Sequence, residues 1–171
     1  ARAPPDERSL SLDLGLVEGS SVAQRVHLDA AVMGSPKAFH ADAFFSFSQG
    51  WFPSDHFYGL DTLFWEYSAG GALNLPALGG FLTAYFGFGP FLSFEQLSTA
   101  TLVRSTPVAS RTTLGLAPEV AVRAALPFEG VPLGAGFRVR WRAVQASTAQ
   151  EGDPFTARGS LDFELFIFSQ D

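Results

Sequence analysis

From Ser9 to Phe168 the extended segments of this chain alternate, and their ionisable side chains occupy only one set of alternate positions. The other set is almost purely Leu, Phe, Val, Ala, Ile, Trp and Tyr. Successive side chains of a β-strand point to opposite faces, so a period of two predicts a sheet with one uncharged face and one face bearing both signs. No helical period of 3.6 competes. The pattern predicts eight strands: Ser9–Val17, Val22–Met33, Ala38–Phe52, Leu63–Leu75, Phe81–Leu97, Arg111–Leu126, Leu133–Ala146 and Ala157–Phe168. The seventh is typical, with Phe137, Val139 and Trp141 set against Arg138, Arg140 and Arg142.

The connections alternate too. Gly34–Lys37, Pro76–Gly80 and Pro127–Pro132 are short and marked by Gly or Pro, as hairpin turns are. Pro53–Thr62, Ser98–Ser110 and Ser147–Phe155 are longer and polar, whereas Glu18–Ser21 is a tight turn where the alternation expects a longer link. Eight strands joined by hairpins form an up-and-down meander, and closing it into a barrel removes the unpaired edges. The expected division is a flexible segment 1–8, a barrel 9–168 and a tail 169–171. The Pro-interrupted start does not read as a signal peptide, so an exported chain has already lost it.

Two barrels fit. A soluble lipocalin-like barrel turns its apolar parity inward; an outer-membrane barrel turns it to lipid and fills its lumen with the charged parity. Composition separates them. The chain has one Lys, Lys37, against ten Arg, which is unlike a water-facing surface. The uncharged members of the charged parity are mostly small, including Ser46, Ser48, Gly87, Gly89, Gly115, Gly134 and Gly136. Small residues among Arg and carboxylates suit the crowded inside of a narrow barrel. The net charge of −6 gives no basic footprint for nucleic acid, and the absence of Cys excludes disulfides and thiolate metal sites. No apolar run approaches the ~20 residues of a membrane helix.

The expected inward acids are Asp13, Asp29, Asp42, Glu66, Glu95, Glu119, Asp162 and Glu164; the bases are Arg25, Arg111, Arg123, Arg138, Arg140, Arg142 and Arg158. Near-neutrality is what a confined space requires. Pairing the last two strands about residue 151 sets Arg140 opposite Asp162 and Arg138 opposite Glu164; a tight first hairpin sets Asp13 opposite Arg25. Bidentate Arg–carboxylate bonding suits such a network. Trp51, Phe52, Phe64, Trp65 and Tyr67, near strand ends, fit an interfacial aromatic girdle.

At this point the chain resembles the small eight-stranded bacterial outer-membrane β-barrels of the OmpA, OmpX and OmpW type. Tyr85-Phe86-Gly87-Phe88-Gly89-Pro90 and Val139-Arg140-Trp141-Arg142 carry the resemblance, which is one of pattern over Ser9 to Phe168. It implies an outer-membrane location, a periplasmic N-terminus, long links facing outside and assembly by the barrel insertion machinery. Family members usually end on an aromatic residue, whereas this chain ends Phe168-Ser169-Gln170-Asp171. The signal is displaced, the assembly route differs, or the native chain continues.

A barrel of this size is just wide enough for side chains to fill, so no open diffusion pore is expected, and the charges read first as structural, with a gate or proton path as the sharper reading. His27 and His40 face the lumen near Asp29 and Asp42 and read as hydrogen-bonded interior groups; no metal or cofactor is expected. Ser54-Asp55-His56 has the residue types of acyl transfer, but adjacent loop residues rarely make a triad, which is a matter of geometry. The His-x-Ser spacing of deacylase barrels is missing, so the chain reads as no enzyme. Gly87-Phe88-Gly89 is no phosphate loop, since no helix follows. Pairing Leu97 with Arg111 would set Pro90 opposite Pro118, and two prolines at one height suggest a lateral opening for lipid or an apolar ligand. Three functions follow: a structural barrel or membrane anchor of an envelope complex, contacting outer-membrane lipids and envelope proteins; a lateral-access carrier of apolar molecules; and a soluble lipocalin-like binder.

Overall fold

The computed structural model describes residues 8–17, 21–34, 38–55, 60–78, 81–100, 105–126, 133–148 and 161–169. Nine β segments occur along the chain: β1 (Arg8–Val17), β2 (Ser21–Gly34), β3 (His40–Asp55), β4 (Leu60–Ala77), β5 (Leu82–Ala100), β6 (Ser105–Ala125), β7 (Leu133–Trp141), β8 (Val144–Ser147) and β9 (Leu161–Ser169). They make eight strands, because β7 and β8 both lie along β6 and are halves of one strand. Every pairing is antiparallel. The order runs β5-β4-β3-β2-β1-β9-β7-β6, and β6 pairs back to β5. β1 meets β9, so the first and last strands seal one seam.

The strand parity appears directly as burial. Along β2, residues 23, 25, 27 and 29 are buried and residues 24, 26, 28 and 30 are exposed. The buried set carries the charges, whereas Leu28, Phe45, Phe86, Val122, Leu165 and Ile167 are exposed. A soluble barrel would have the reverse, so the lipocalin-like reading fails on which face is inside.

The expected seventh strand is not continuous. Glu119 pairs with Arg140, but the next pairing to β6 is Leu116 with Val144, so the strand bulges at Arg142 and Ala143. The bulge resets the phase. Arg142 is buried, yet two residues on Val144 is outward, and Gln145 and Ser147 line the lumen. Without the extra residue Val144 would enter a charged interior. Two links are also shorter than expected: β3 runs to Asp55 with β4 starting at Leu60, and β5 runs to Ala100 with β6 starting at Ser105. Ser and Thr satisfied the expectation of a loop, but a rim strand accommodates them readily. The expected start of the last strand at Ala157 lies outside the described residues.

Small residues such as Ser46, Ser48, Ser68, Ala72 and Ala117 are the commoner uncharged groups inside, as expected, but large rings stand among them. Phe44, Phe64, Tyr85, Phe91, Phe166 and Phe168 are all buried inside it. Phe64, expected in the outer girdle, is wholly inside. Five of these rings face a glycine directly across the ladder: Phe44 with Gly70, Phe64 with Gly50, Phe91 with Gly115, Phe166 with Gly136 and Phe168 with Gly134. A ring fits because its partner has no side chain, which also covers the bare backbone. A Cβ on Gly136 would lie 2.8 Å from Phe166 Cε1 and Cε2. Gly136→Val is therefore expected to destabilise the barrel by about 1–3 kcal/mol through overpacking. Urea titration in detergent, read by the folded and unfolded gel bands, measures this; an unchanged midpoint would contradict the tight pairing.

Candidate functional site

The concentration of chemistry is the lumen. Four arginines, Arg25, Arg138, Arg140 and Arg142, meet four acids, Glu66, Glu119, Asp162 and Glu164, and all eight are almost fully buried. Glu66 on β4 is the hub. Arg140 from β7 hydrogen-bonds its Oε1, Arg142 Nε lies 3.4 Å from its Oε2, and Arg25 from β2 lies at 4.0 Å. Arg25 reaches Glu164 Oε1 at 2.7 Å and lies 4.0 Å from Glu119. Arg138 Nη1 donates to Glu164 at 3.2 Å, Arg142 hydrogen-bonds both oxygens of Asp162, and Tyr85 donates to Glu119 at 2.9 Å.

The registers place Arg138 opposite Glu164, Arg140 opposite Asp162 and Asp13 opposite Arg25, as the pairing about residue 151 and the tight first hairpin require. The side chains follow the register only in part. Arg138 bonds the acid across from it, but Arg140 crosses to Glu66 and Asp162 is taken by Arg142. Arg25 also reaches past β1 to Glu164. A long guanidinium in a narrow tube touches several strands, and it takes the geometry that leaves fewest charges unpaired. The side chains of Asp13 and Arg158 lie outside the described residues.

Above and below this belt lie two simpler pairs, one between neighbouring strands and one across the tube. Arg111 Nε donates to Glu95 at 2.6 Å, and Arg123 Nη2 donates to Asp29 at 2.7 Å from the opposite wall. Arg123 also sits 4.5 Å over the Tyr85 ring, and Arg138 4.7 Å over Phe166. Faces of aromatic rings thus add partial negative charge to that of the carboxylates. His27 stacks on Phe44 at 5.2 Å, with its Nε2 3.8 Å from Asp29. Sequence reasoning missed the ring contribution, although Phe44, Phe64, Phe91, Phe166 and Phe168 on the charged parity, each opposite a glycine under hairpin register, were the signal.

Two concavities flank the network. One, of about 100 Å³, is lined by Glu66, Ser93, Glu95, Arg111 and Arg142 at the lumen end near β8. The other, of about 300 Å³, lies on the outer wall between Gln24, Gln49, Trp51, Leu63 and Trp65. Trp51 and Tyr67 are exposed on the outer face and Trp65 half-buried; Tyr67 packs on Phe47 at 5.0 Å and Phe94 at 6.4 Å. The Phe52 side chain and the Ser54-Asp55-His56 side chains lie outside the described residues.

Pro90 does not face Pro118. Pro90 pairs with Leu116 and Pro118 with Phe88, and the β5–β6 ladder is continuous from Leu82–Ala124 to Leu97–Ala109. The hairpin between them is two residues tighter than the pairing of Leu97 with Arg111 assumed. Each proline instead turns its missing N–H away from that ladder. On the other side of Pro90, the β4–β5 ladder skips two pairs without changing register. The backbones stay pressed together there: a Cβ on Gly70 would lie 2.8 Å from Gly89 Cα. Pro118 lies beside the Arg142–Ala143 bulge, where Ala143 N still donates to Leu116 O at 3.0 Å. The ladder is thus interrupted on the far side of each proline, by two skipped pairs beside Pro90 and by the bulge beside Pro118, at heights two residues apart.

Among the described residues no group of three or more His, Asp or Glu is placed to hold a metal ion. No family model and no curated protein matches the sequence. The fold does match solved structures. Ail, the attachment invasion locus protein of Yersinia pestis, aligns at TM-score 0.53 and 11% identity over 95% of this chain and 93% of Ail. A second structure of Ail, in complex with the heparin analogue sucrose octasulfate, aligns at TM-score 0.50 and 9% identity over 95% and 94% of the two chains. A major outer membrane protein from Thermus thermophilus aligns at TM-score 0.53 and 12% identity over 98% of this chain and 100% of that one. The architecture is that of small eight-stranded outer-membrane β-barrels.

Proposed function

We propose that this chain is a non-enzymatic β-barrel of the bacterial outer membrane, serving as a structural element or as the membrane anchor of an envelope complex. The observation that carries the reading is the inverted barrel: Leu, Phe, Val and Ile outside, and a lumen spanned by Arg25, Glu66, Glu119, Arg140 and Glu164. A surface of exposed Leu28, Phe45, Phe86, Val122, Leu165 and Ile167 is stable against lipid and aggregation-prone in water. Trp51, Trp65 and Tyr67 then supply the aromatic girdle, anchoring the barrel where their rings meet the headgroups. In this reading the short turns and the N-terminus face the periplasm. Outer-membrane lipid is the constant partner, and envelope proteins would dock on the loops and rims.

Arginines hydrogen-bonded across the tube narrow its described part, which supports an anchor over a porin. Reconstituted in a planar bilayer, the protein is expected to give no steady conductance above that of the bare membrane, and to migrate on gels differently before and after boiling. Steady open-channel currents would overturn the filled-lumen reading. Release from cells as a soluble monomer without detergent would overturn the membrane reading.

A further inference from the structure

The geometry points to a divalent metal site at the barrel rim, formed by His40 Nε2, Asp42 Oδ1 and Asn74 Oδ1. His40 opens β3, with Asn74 of β4 as its partner on one side and Gly34 of β2 on the other. Gly34 has a φ of 98°, and a Cβ there would lie 2.7 Å from Phe39 O and 2.9 Å from His40 Cα. Only glycine lets the chain turn this closely and set His40 beside Asp42.

The protons are placed by their partners. His40 Nδ1 lies 3.0 Å from Ala38 O, an acceptor, so Nδ1 carries the hydrogen and a neutral ring leaves Nε2 with a lone pair. That nitrogen faces Asp42 Oδ1 at 3.6 Å. Asp42 Oδ1 is buried and accepts no hydrogen bond. Two lone-pair atoms facing each other repel unless a cation lies between them. Ligands each about 2.1 Å from one ion at near-tetrahedral angles lie roughly 3.4–3.6 Å apart. A ligating histidine also typically donates its other ring N–H to a carbonyl or carboxylate, as Nδ1 does here.

Asn74 supplies the third donor. Its Nδ2 donates to Asp42 Oδ2 at 2.7 Å, which fixes which amide atom is nitrogen. Its Oδ1 is then left buried without a partner, in a side chain only 1% exposed. Charge makes the same case. Asp29 has Arg123, Glu95 has Arg111, and Glu66, Glu119, Asp162 and Glu164 share Arg25, Arg138, Arg140 and Arg142. Among the described buried acids Asp42 alone pairs with no arginine. One imidazole nitrogen with carboxylate and amide oxygens suits a borderline ion such as Zn2+ over Ca2+, with water completing the shell. The His40 side chain is 12% exposed, so an ion can enter from the rim.

The test is calorimetric titration of tag-free, chelator-stripped barrel in uncharged detergent at neutral pH. Saturable uptake of one Zn2+ per chain is expected, with much weaker uptake of Ca2+. His40→Ala and Asp42→Asn should each weaken Zn2+ binding by about tenfold or more. His40→Ala changes a rim residue, and its heat-dependent gel migration reports whether it folds. Unweakened Zn2+ binding by folded His40→Ala would put the ion elsewhere and overturn the assignment. No saturable binding at millimolar Zn2+ would overturn it too.

Discussion

Glu66→Leu is expected to cost the folded barrel about 3–5 kcal/mol, the penalty of breaking a buried ion pair from one side. Glu66 faces Arg140, Arg142 and Arg25 together, so its loss strands positive charge in a space without water enough to solvate it. The loss should appear as a lower urea midpoint in lipid vesicles, with the folded gel band disappearing earlier. Adding Arg140→Met should recover part of the loss, since removing both charges leaves fewer uncompensated groups than removing one. A Glu66→Leu barrel within about 1 kcal/mol of the parent would mean that the arginines find other partners at little cost.

Leu165→Arg tests the opposite face. Leu165 is 70% exposed, and it lies mid-strand in β9 between Leu14 of β1 and Phe137 of β7. Exposed to water, such a change would usually fall within about 0.5 kcal/mol. Facing the middle of a bilayer it should cost about 2–4 kcal/mol. Comparing parent and variant unfolding in vesicles and in a short-chain detergent separates the cases. A neutral effect in vesicles would remove the lipid-facing assignment of this wall, and with it the membrane reading.

These outcomes bear on the proposed role differently. A barrel rigidified by crossing ion pairs is a stable plug for carrying loops or a partner, and it need not open. The Glu66 network then contributes rigidity and a single register more than net stability, because buried pairs seldom exceed the solvation they give up. The rim cluster of His40, Asp42 and Asn74 would add a local clamp across β3 and β4, at the turn end of the sheet.

How much was legible in the sequence varies along the chain. The parity of Arg138, Arg140 and Arg142 against Phe137, Val139 and Trp141 placed the whole of β7 correctly, because a strand's faces depend only on counting by two. The change of phase after Arg142 is present in the letters, with Val144 falling on the charged parity, but a single apolar residue there does not by itself distinguish a bulge from an exception. Phe166 and Phe168 also fall on that parity, and their glycine partners, thirty-odd residues upstream, account for them. The offset of Pro90 from Pro118 was not legible. The length of a hairpin whose end is mostly Ser, Thr, Ala and Val can shift by two without altering either pattern.

Local chemistry alone therefore settled the fold class, the assignment of charge to one face and grease to the other, and the registers that bring Arg138 to Glu164 and Arg140 to Asp162. Those properties repeat every second residue and every tight turn, so each segment carries them unaided. The tertiary structure decided which carboxylate each guanidinium reaches, which glycine receives which ring, and that His40, Asp42 and Asn74 converge. Such contacts span a tube narrow enough for one side chain to reach several walls, and strand curvature and stagger, which no single strand encodes, determine which wall it reaches.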